Sequence, residues 1–308
     1  MSRAPKSASK AASRTEPARR RHPAPRLNAM MACDTAFRVV ARRYLDDLSA
    51  NHEATCKGDP GALHQMRIAL TRLRTAIVFF SPMVADTKRA RVRGELKWLN
   101  THLGVVRDLD VAIGRLKTLS KQQPQTSDYY RSWNEKRADR HRQLARALRS
   151  ARYRRLIKNT SDWIENGPWS TVKGKQAARK RASPIAACSA GKLARWQKRL
   201  LKKSRKLLKM DAEKRHRLRL LNKKLSYAIE SFEDLFADKR FLGQQAALKH
   251  LRKAQRSLGQ LNDDAKGHSL AAALRRDGAH ASLQFLSRKR EKRLLRTAAA
   301  AYRKLAAR

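Results

Sequence analysis

Two segments of the sequence place a histidine ahead of basic residues at one shared spacing. The segment HQMRIALTRLR begins at His64, and the segment HRLRLLNKKLS begins at His216. A basic residue follows each histidine at +3 and at +8; these are Arg67 and Arg72 in the first segment, Arg219 and Lys224 in the second. Arginine donates paired hydrogen bonds to phosphate oxygens, lysine supplies a mobile positive charge, and histidine adds a donor whose charge depends on pH. The pattern suits an anion that carries phosphate groups.

A second element follows each histidine segment in the same order. The run LGVVRDLDV has its Gly104 40 residues after His64, and LGQLNDDA has its Gly259 43 residues after His216. Two elements that recur at nearly the same separation indicate an internal repeat. Arg107 of the first run is a candidate phosphate ligand, and Gly104 is interpreted as permitting close helix approach.

The carboxylates of the first run, Asp108 and Asp110, have two interpretations. They could steer a phosphate-binding arginine or hold a metal ion, since oxygen ligands suit hard cations. Pairing with nearby arginines, or capping of a helix start, explains them more simply. No metal site is therefore predicted, and the same holds for Asp263 and Asp264 of the second run.

The two histidine segments are amphipathic when placed on a helix at 100° per residue. Polar residues fall on one stripe about 80° wide; they are His64, Arg67, Thr71 and Arg74 in the first copy, and His216, Arg219, Lys223 and Ser226 in the second. Apolar residues fall on the opposite side; they are Met66, Leu70, Leu73, Ile77 and Phe80, then Leu218, Leu221, Leu225, Ile229 and Phe232. A single basic stripe is usually a solvated helix face. Repetition of the same spacing favours a binding role, and two such stripes facing each other would form a cleft.

The predicted binding set combines both stripes with nearby basic residues. Lys97 and Arg252 join it because each lies seven residues before a motif glycine, on the same helix face. The full set is His64, Arg67, Arg72, Arg74, Lys97, Arg107, His216, Arg219, Lys223, Lys224 and Arg252. Because its histidines lie among cations, we expect them to resist protonation when free and to take up protons when a polyanion binds. Binding should then strengthen as the pH falls toward about 6.

The elements that must position these residues are helices. From about residue 28 onward apolar residues recur at helical spacing, and no alternating strand pattern is evident, so the predicted fold class is all-α. A stretch with Gly, Ser, Pro and scattered basic residues separates two halves. The predicted organisation is a disordered basic tail (1–28) followed by one domain (29–308), made of a first helical half (29–170), a linker (171–191) and a second helical half (192–308).

The charge balance limits the partners. The 308-residue chain has 73 Lys and Arg against 25 Asp and Glu, a formal net charge of +48, which favours a polyanionic partner such as nucleic acid, an anionic membrane surface or polyphosphate. No apolar run is long enough for a membrane span or a secretory signal. The three cysteines lie far apart in the sequence, without His or Cys neighbours at metal-ligand spacing. These features predict a soluble, cytoplasmic protein in a reducing compartment, without membrane insertion.

Several runs together resemble the CHAD family, named for conserved histidines in an α-helical domain. They are HQMRIALTRLR, LGVVRDLDV, LRSARYRRLIKNTSDWIENGPW, HRLRLLNKKLSYAIE and LGQLND. The resemblance extends from about residue 28 to the C-terminus. It implies two antiparallel four-helix bundles related by an internal pseudo-twofold, and a basic concave surface that binds inorganic polyphosphate. Thr71 and Ser226 stand where the family often has Arg or Lys, so the surface should be thinner there.

Three other functions are weighed against polyphosphate binding. A protein of this charge will bind nucleic acid non-specifically at low salt, but the sequence has no helix-turn-helix, zinc-finger or RNP signature. An enzyme acting on phosphoanhydrides would need a phosphate loop, a known catalytic motif or an acidic cluster for Mg²⁺, and none is evident. We therefore expect no catalysis and no cofactor. Association with polyphosphate granules is a third expectation, which sequence does not separate from simple binding, and the oligomeric state stays open.

Overall fold

The computed structural model describes residues 26–122, 127–276 and 285–307. Regular structure within these ranges is α-helix with short 3-10 turns and no strand, which confirms the predicted all-α class. The helices are α1 (Cys33–Ala50), α2 (His52–Cys56), α3 (Pro60–Phe79), α4 (Arg89–Gln122), α5 (Ser127–Arg149), α6 (Ala151–Asn166), α7 (Lys175–Ala182), α8 (Ile185–Ser204), α9 (Ala212–Glu230), α10 (Gln244–Arg276) and α11 (Arg288–Ala306).

The two histidine helices begin in the same way. Asp59 caps α3 by accepting hydrogen bonds from the backbone N–H groups of Gly61 and Ala62, and Pro60 occupies the first helical position. Asp211 caps α9 by accepting from the N–H of Lys214. A capping carboxylate satisfies N–H groups that have no partner within the helix, and it fixes where the helix starts. Each cap lies five residues before its histidine, so both stripes begin at the same position relative to the start of their helix.

The apolar faces of α3 and α9 form core, as their spacing predicts. Met66, Leu70, Leu73 and Ile77 of α3 are fully buried, as are Leu218, Leu225 and Ile229 of α9, while Leu221 is partly buried. Ser226 departs from the prediction. It is buried and donates its hydroxyl to the Asn222 carbonyl, so it lies outside the basic stripe. A serine can turn its only polar group back onto the helix, whereas Arg74 at the equivalent position is only half-buried.

The helices pack around one continuous core. In the first half α3 contacts α1 and α4, while α6 contacts α1, α4 and α5; in the second half α8, α9, α10 and α11 contact one another in a ring. Helix α3 also packs on α9. Near the C-terminal ends of these two helices Phe79 lies against Phe232 and Trp196, with ring centroids 5.1 and 5.3 Å apart. This aromatic contact joins the two halves below the histidine stripes.

Residues at the edge of the predicted tail and within the predicted linker take part in the packed structure. Leu27, the penultimate residue of the predicted tail, is buried, and its N–H donates to the Asp234 carboxylate; residues 1–25 lie outside the described residues. The predicted linker 171–191 contains α7 and the start of α8, and Pro184 forms an isolated antiparallel bridge with Ala32. None of the described helices combines the length and apolarity needed to span a membrane.

Candidate anion-binding cleft

His64 lies where three helices bring basic side chains together. Partial burial lowers the pKa of its imidazole, and the positive charges of Arg107, Lys223 and Arg67 lower it further. Arg67 is on α3, Arg107 on α4 and Lys223 on α9, so both halves of the chain contribute to the surroundings of one histidine. Like charges held this close repel one another, and an anion between them relieves that repulsion.

Lys223 lies among cations of both repeats. Burial lowers the pKa of its ammonium to about 8, together with the charges of Arg219, Arg67 and Arg72. The Nε atoms of Arg72 and Arg219 are buried and have no hydrogen-bond acceptor among the described residues. We call the set His64, Arg67, Arg72, Arg107, Arg219 and Lys223 the cleft cluster. It presents donors without acceptors and charges without full compensation, and both are features of an anion site.

Each glycine motif is hydrogen-bonded to the histidine helix of its own half. Arg67 Nη1 donates to the Gly104 carbonyl at 3.4 Å, and His216 Nδ1 lies 2.6 Å from Asn262 Oδ1. Each histidine helix is thus bonded to the motif helix of its own half. A Cβ added at Gly104 or Gly259 would meet no atom within 4 Å. Close helix approach therefore does not explain these glycines; Gly104 leaves open space one turn before Arg107.

One cation of the cleft cluster also holds the fold together. Arg72 Nη2 donates to Glu230 Oε2 at 2.9 Å, and Arg252 Nη2 donates to Oε1 of the same carboxylate at 3.0 Å. The Arg72 guanidinium lies over the rings of Tyr227 and Tyr44, 5.1 and 5.9 Å from their centroids. Arg72 and Arg252, predicted as phosphate ligands, therefore share a carboxylate that sequence reasoning did not include.

A second group of cations lies around Lys224 and Arg74. Burial lowers the pKa of Lys224, aided by Arg199 and Arg93, and burial lowers that of Arg74, aided by Arg93. Burial likewise lowers the pKa of Lys192 to about 8, with Arg195 and Lys224 contributing. We call the set Arg74, Arg93, Lys192, Arg195, Arg199 and Lys224 the lateral cluster. Among the ion pairs that join described residues, none includes a member of this cluster.

The lateral cluster contains residues that the sequence prediction omitted. Arg93, Lys192, Arg195 and Arg199 were not in the predicted binding set. Arg93 could have been included, since it lies 11 residues, or three helical turns, before Gly104 on nearly the same face of α4. Lys97, which was selected, is exposed on α4 one turn beyond Arg93. His216 pairs with Asn262 and does not enter either cluster through a described contact.

The carboxylates of the first glycine motif are engaged in ion pairs. Asp108 accepts from Lys266 Nζ at 2.8 Å, which links α4 to α10. Asp110 is buried and accepts from Arg137 Nε at 2.6 Å and His141 Nε2 at 3.0 Å. Burial opposes ionisation of Asp110, but these two hydrogen bonds outweigh it and lower its pKa. In the described ranges no three His, Cys, Asp or Glu side chains are grouped to hold a metal ion.

Comparison with known proteins identifies the family. The family model of the CHAD domain matches residues 39–272, a span that holds both histidine helices and both glycine motifs. The chain belongs to the CHAD family. This family is associated with the binding of polyphosphate.

Solved structures support the assignment at the level of the fold. The crystal structure of the CHAD domain from the plant Ricinus communis aligns with a TM-score of 0.69 at 25% identity, over 92% of this chain and 89% of that one. PptA from Streptomyces chartreusis aligns with a TM-score of 0.58 at 14% identity, over 90% of this chain and 96% of that one. No curated protein sequence matches this CHAD chain significantly.

Proposed function

We propose that this CHAD protein binds inorganic polyphosphate in a cleft shared by its two histidine helices. The observation that carries the proposal is the place of Lys223. This lysine of the second repeat lies among Arg67 and Arg72 of the first repeat and close enough to His64 to depress its pKa. The repeated stripes therefore contribute cations to one site. A flexible chain of phosphates in this site would be bound by side chains of both repeats.

The same contacts support two antiparallel four-helix bundles related by a pseudo-twofold. The caps Asp59 and Asp211 stand at the same distance from their histidines, and each histidine helix bonds to its own motif helix. The ring of α8, α9, α10 and α11 has the connectivity of one such bundle. A pseudo-twofold between the halves explains why α3 packs directly on α9.

A long polyanion fits these charges better than a single phosphate. The stripe from His64 to Arg74 is about 15 Å long at the helical rise, enough to follow several consecutive phosphates. Arg74 belongs to the lateral cluster, so the stripe of α3 leads from the cleft cluster to a second group of uncompensated cations. The like charges within each cluster repel one another in the unbound protein, and a continuous chain of phosphates relieves this repulsion in both clusters.

The site is poorly suited to reading bases or to catalysis. Sequence-tolerant binding of single-stranded nucleic acid uses exposed aromatic rings as stacking platforms, but the Arg72 guanidinium lies over both Tyr44 and Tyr227. The carboxylates nearest the cleft, Asp108 and Glu230, are paired with Lys266 and Arg72. We infer a binding protein that releases no phosphate, and we propose that this binding also associates it with polyphosphate granules.

A titration with polyphosphates of defined length at about 150 mM salt, where exposed charges are screened, tests the proposal. Two double variants remove equivalent residues, His64→Ala with Arg67→Ala, and His216→Ala with Arg219→Ala. Because a charge-assisted hydrogen bond contributes about 1.5–3 kcal/mol, each pair should weaken binding at least tenfold. The control Lys158→Ala removes an exposed charge from α6 and should change affinity less than twofold.

Three outcomes would contradict the proposal. If only one double variant weakened binding, the cleft would not be shared between the repeats. If duplex DNA displaced long-chain polyphosphate at the same salt, the protein would be a nucleic-acid binder. If the protein with a divalent metal released orthophosphate from polyphosphate, it would be an enzyme.

A further inference from the structure

The starts of α1 and α8 are tied together although more than 150 residues separate them in the sequence. The Cys33 N–H donates to the Ser183 carbonyl at 3.0 Å, and the Ile185 N–H donates to the Met31 carbonyl at 2.8 Å. Ala32 and Pro184 form the antiparallel bridge between these two bonds. The backbone therefore holds the first helix of each half in fixed register with the other.

This junction brings two cysteines close together. Cys33 opens α1 and is buried, while Cys188 is exposed in the first turn of α8, where its N–H donates to the Pro184 carbonyl at 3.2 Å. The Cys188 side chain is close enough to Cys33 to raise the pKa of the Cys33 thiol. A disulfide needs a sulfur–sulfur distance of about 2.05 Å, and side-chain torsions can supply the remaining approach when the backbones are already paired.

We propose that Cys33 and Cys188 form a reversible intramolecular disulfide when the protein meets a low-molecular-weight disulfide such as oxidised glutathione. The disulfide would covalently link α1, the first helix of the N-terminal half, to α8, the first helix of the C-terminal half. It is independent of what the cleft binds. The two cysteines are distant in the sequence, and only the fold brings them together.

The reaction proceeds by two thiol–disulfide exchanges. The thiolate of exposed Cys188 attacks one sulfur of oxidised glutathione, giving a mixed disulfide and one glutathione thiolate, which takes up a proton. Cys33 then releases its proton and attacks Cys188 Sγ, displacing the second glutathione. One glutathione disulfide is thereby reduced to two thiols, and the two protein thiols are oxidised to one disulfide.

The environment of Cys33 sets the order of these steps. Burial raises the pKa of the Cys33 thiol, and the hydrogen bond and charge of Cys188 raise it further, with a smaller contribution from Asp34. A raised pKa keeps Cys33 protonated at neutral pH, so the exposed Cys188 reacts first. We expect the mixed disulfide to accumulate briefly and ring closure to accelerate as the pH rises.

Intact mass spectrometry of the full chain tests the proposal. Reduced protein is incubated with oxidised glutathione, the remaining thiols are alkylated, and the mass is read without reductant. The wild type should lose two alkylatable thiols and retain no glutathione, and Cys56→Ala should also lose two, because Cys56 is buried at the end of α2 beside His52 and takes no part. Cys33→Ala should retain one glutathione on Cys188, and Cys188→Ser should retain none.

A second readout uses only the wild type and so does not depend on how the variants fold. After oxidation and tryptic digestion, the peptides 27–38 and 182–192 should appear joined by a disulfide. The oxidised protein should also melt about 5 °C or more higher than the reduced protein, because the bond closes a very long loop of the unfolded chain. Stable glutathione on wild-type Cys188, an intermolecular dimer, or three alkylatable thiols after oxidation would each overturn the proposal.

Discussion

The Arg72 guanidinium on α3 and the Glu230 carboxylate on α9 form an ion pair of 2.9 Å that joins the two repeats. Arg252 on α10 pairs with the same carboxylate at 3.0 Å. Breaking a partly buried pair leaves a charge without compensation, which costs more than the pair itself contributes. One contact therefore serves two purposes: it holds α3 against α9 and it neutralises part of the charge at this side of the cleft.

The substitution Glu230→Gln separates these two purposes. We expect the free energy of unfolding to fall by about 1–3 kcal/mol because Arg72 loses its charged acceptor, whereas polyphosphate affinity should not fall because net positive charge rises. Denaturant titration and ligand titration measure the two effects. Glu213→Gln is the control, since its pair with Arg217 is exposed, and it should change stability by less than about 0.5 kcal/mol. Affinity that falls with Glu230→Gln would show that the carboxylate positions a ligand-binding arginine.

The depressed pKa of His64 predicts a pH dependence of binding. A neutral imidazole in the free protein becomes protonated when a polyanion compensates the charges of Arg107 and Lys223, so binding takes up protons. Affinity should therefore rise as the pH falls from 8 to 6, and His64→Gln should reduce this rise. An unchanged affinity across this range in the wild type would mean that His64 is not linked to the ligand.

The same pKa has a consequence for stability. The folded protein binds fewer protons at His64 than the unfolded chain, whose histidines titrate at about 6.5. His64 therefore contributes a loss of stability as the pH falls through about 6.5, and polyphosphate should reverse it. Thermal unfolding of wild type and His64→Gln, each with and without polyphosphate, measures this difference.

Lys223 predicts a second change of affinity at higher pH. Its pKa is about 8 in the free protein, and a bound polyanion should restore it toward the ordinary value of about 10.4. Linkage then predicts that wild-type affinity falls about tenfold between pH 7 and pH 9. Lys223→Arg should flatten the fall, because a guanidinium stays charged throughout this range. Equal slopes in the two proteins would exclude Lys223 as the titrating ligand.

The substitution Gly104→Ala should change stability and polyphosphate affinity in opposite directions. Alanine should stabilise α4 by about 0.5–1 kcal/mol, because it favours the helix and its Cβ would meet no other atom. The same Cβ would occupy the open space before Arg107, so we expect polyphosphate affinity to fall severalfold. Gly94→Ala is the matched control on α4: its Cβ also meets no atom, it is exposed, and it should stabilise without weakening binding. Equal affinities of the two variants would show that ligand does not approach Gly104.

The sequence by itself determined the helices and their faces. The spacing of Met66, Leu70 and Leu73 predicts the buried side of α3, and the structure buries all three. Such predictions succeed because helical periodicity depends on contacts three and four residues apart, which the local sequence contains. The internal repeat also shows that His64 and His216 occupy matched positions, and the repeated motifs allow the family to be recognised.

The tertiary structure alone decided which stripes face each other and which charges are compensated. Lys223 lies with His64, and Glu230 neutralises Arg72, because α3 and α9 pack against each other in one register. The buried position of Ser226 and the proximity of Cys33 to Cys188 were likewise set by packing between distant segments. A helical pattern specifies the direction of each side chain about its own axis, but the partner across an interface is fixed only when the whole core closes.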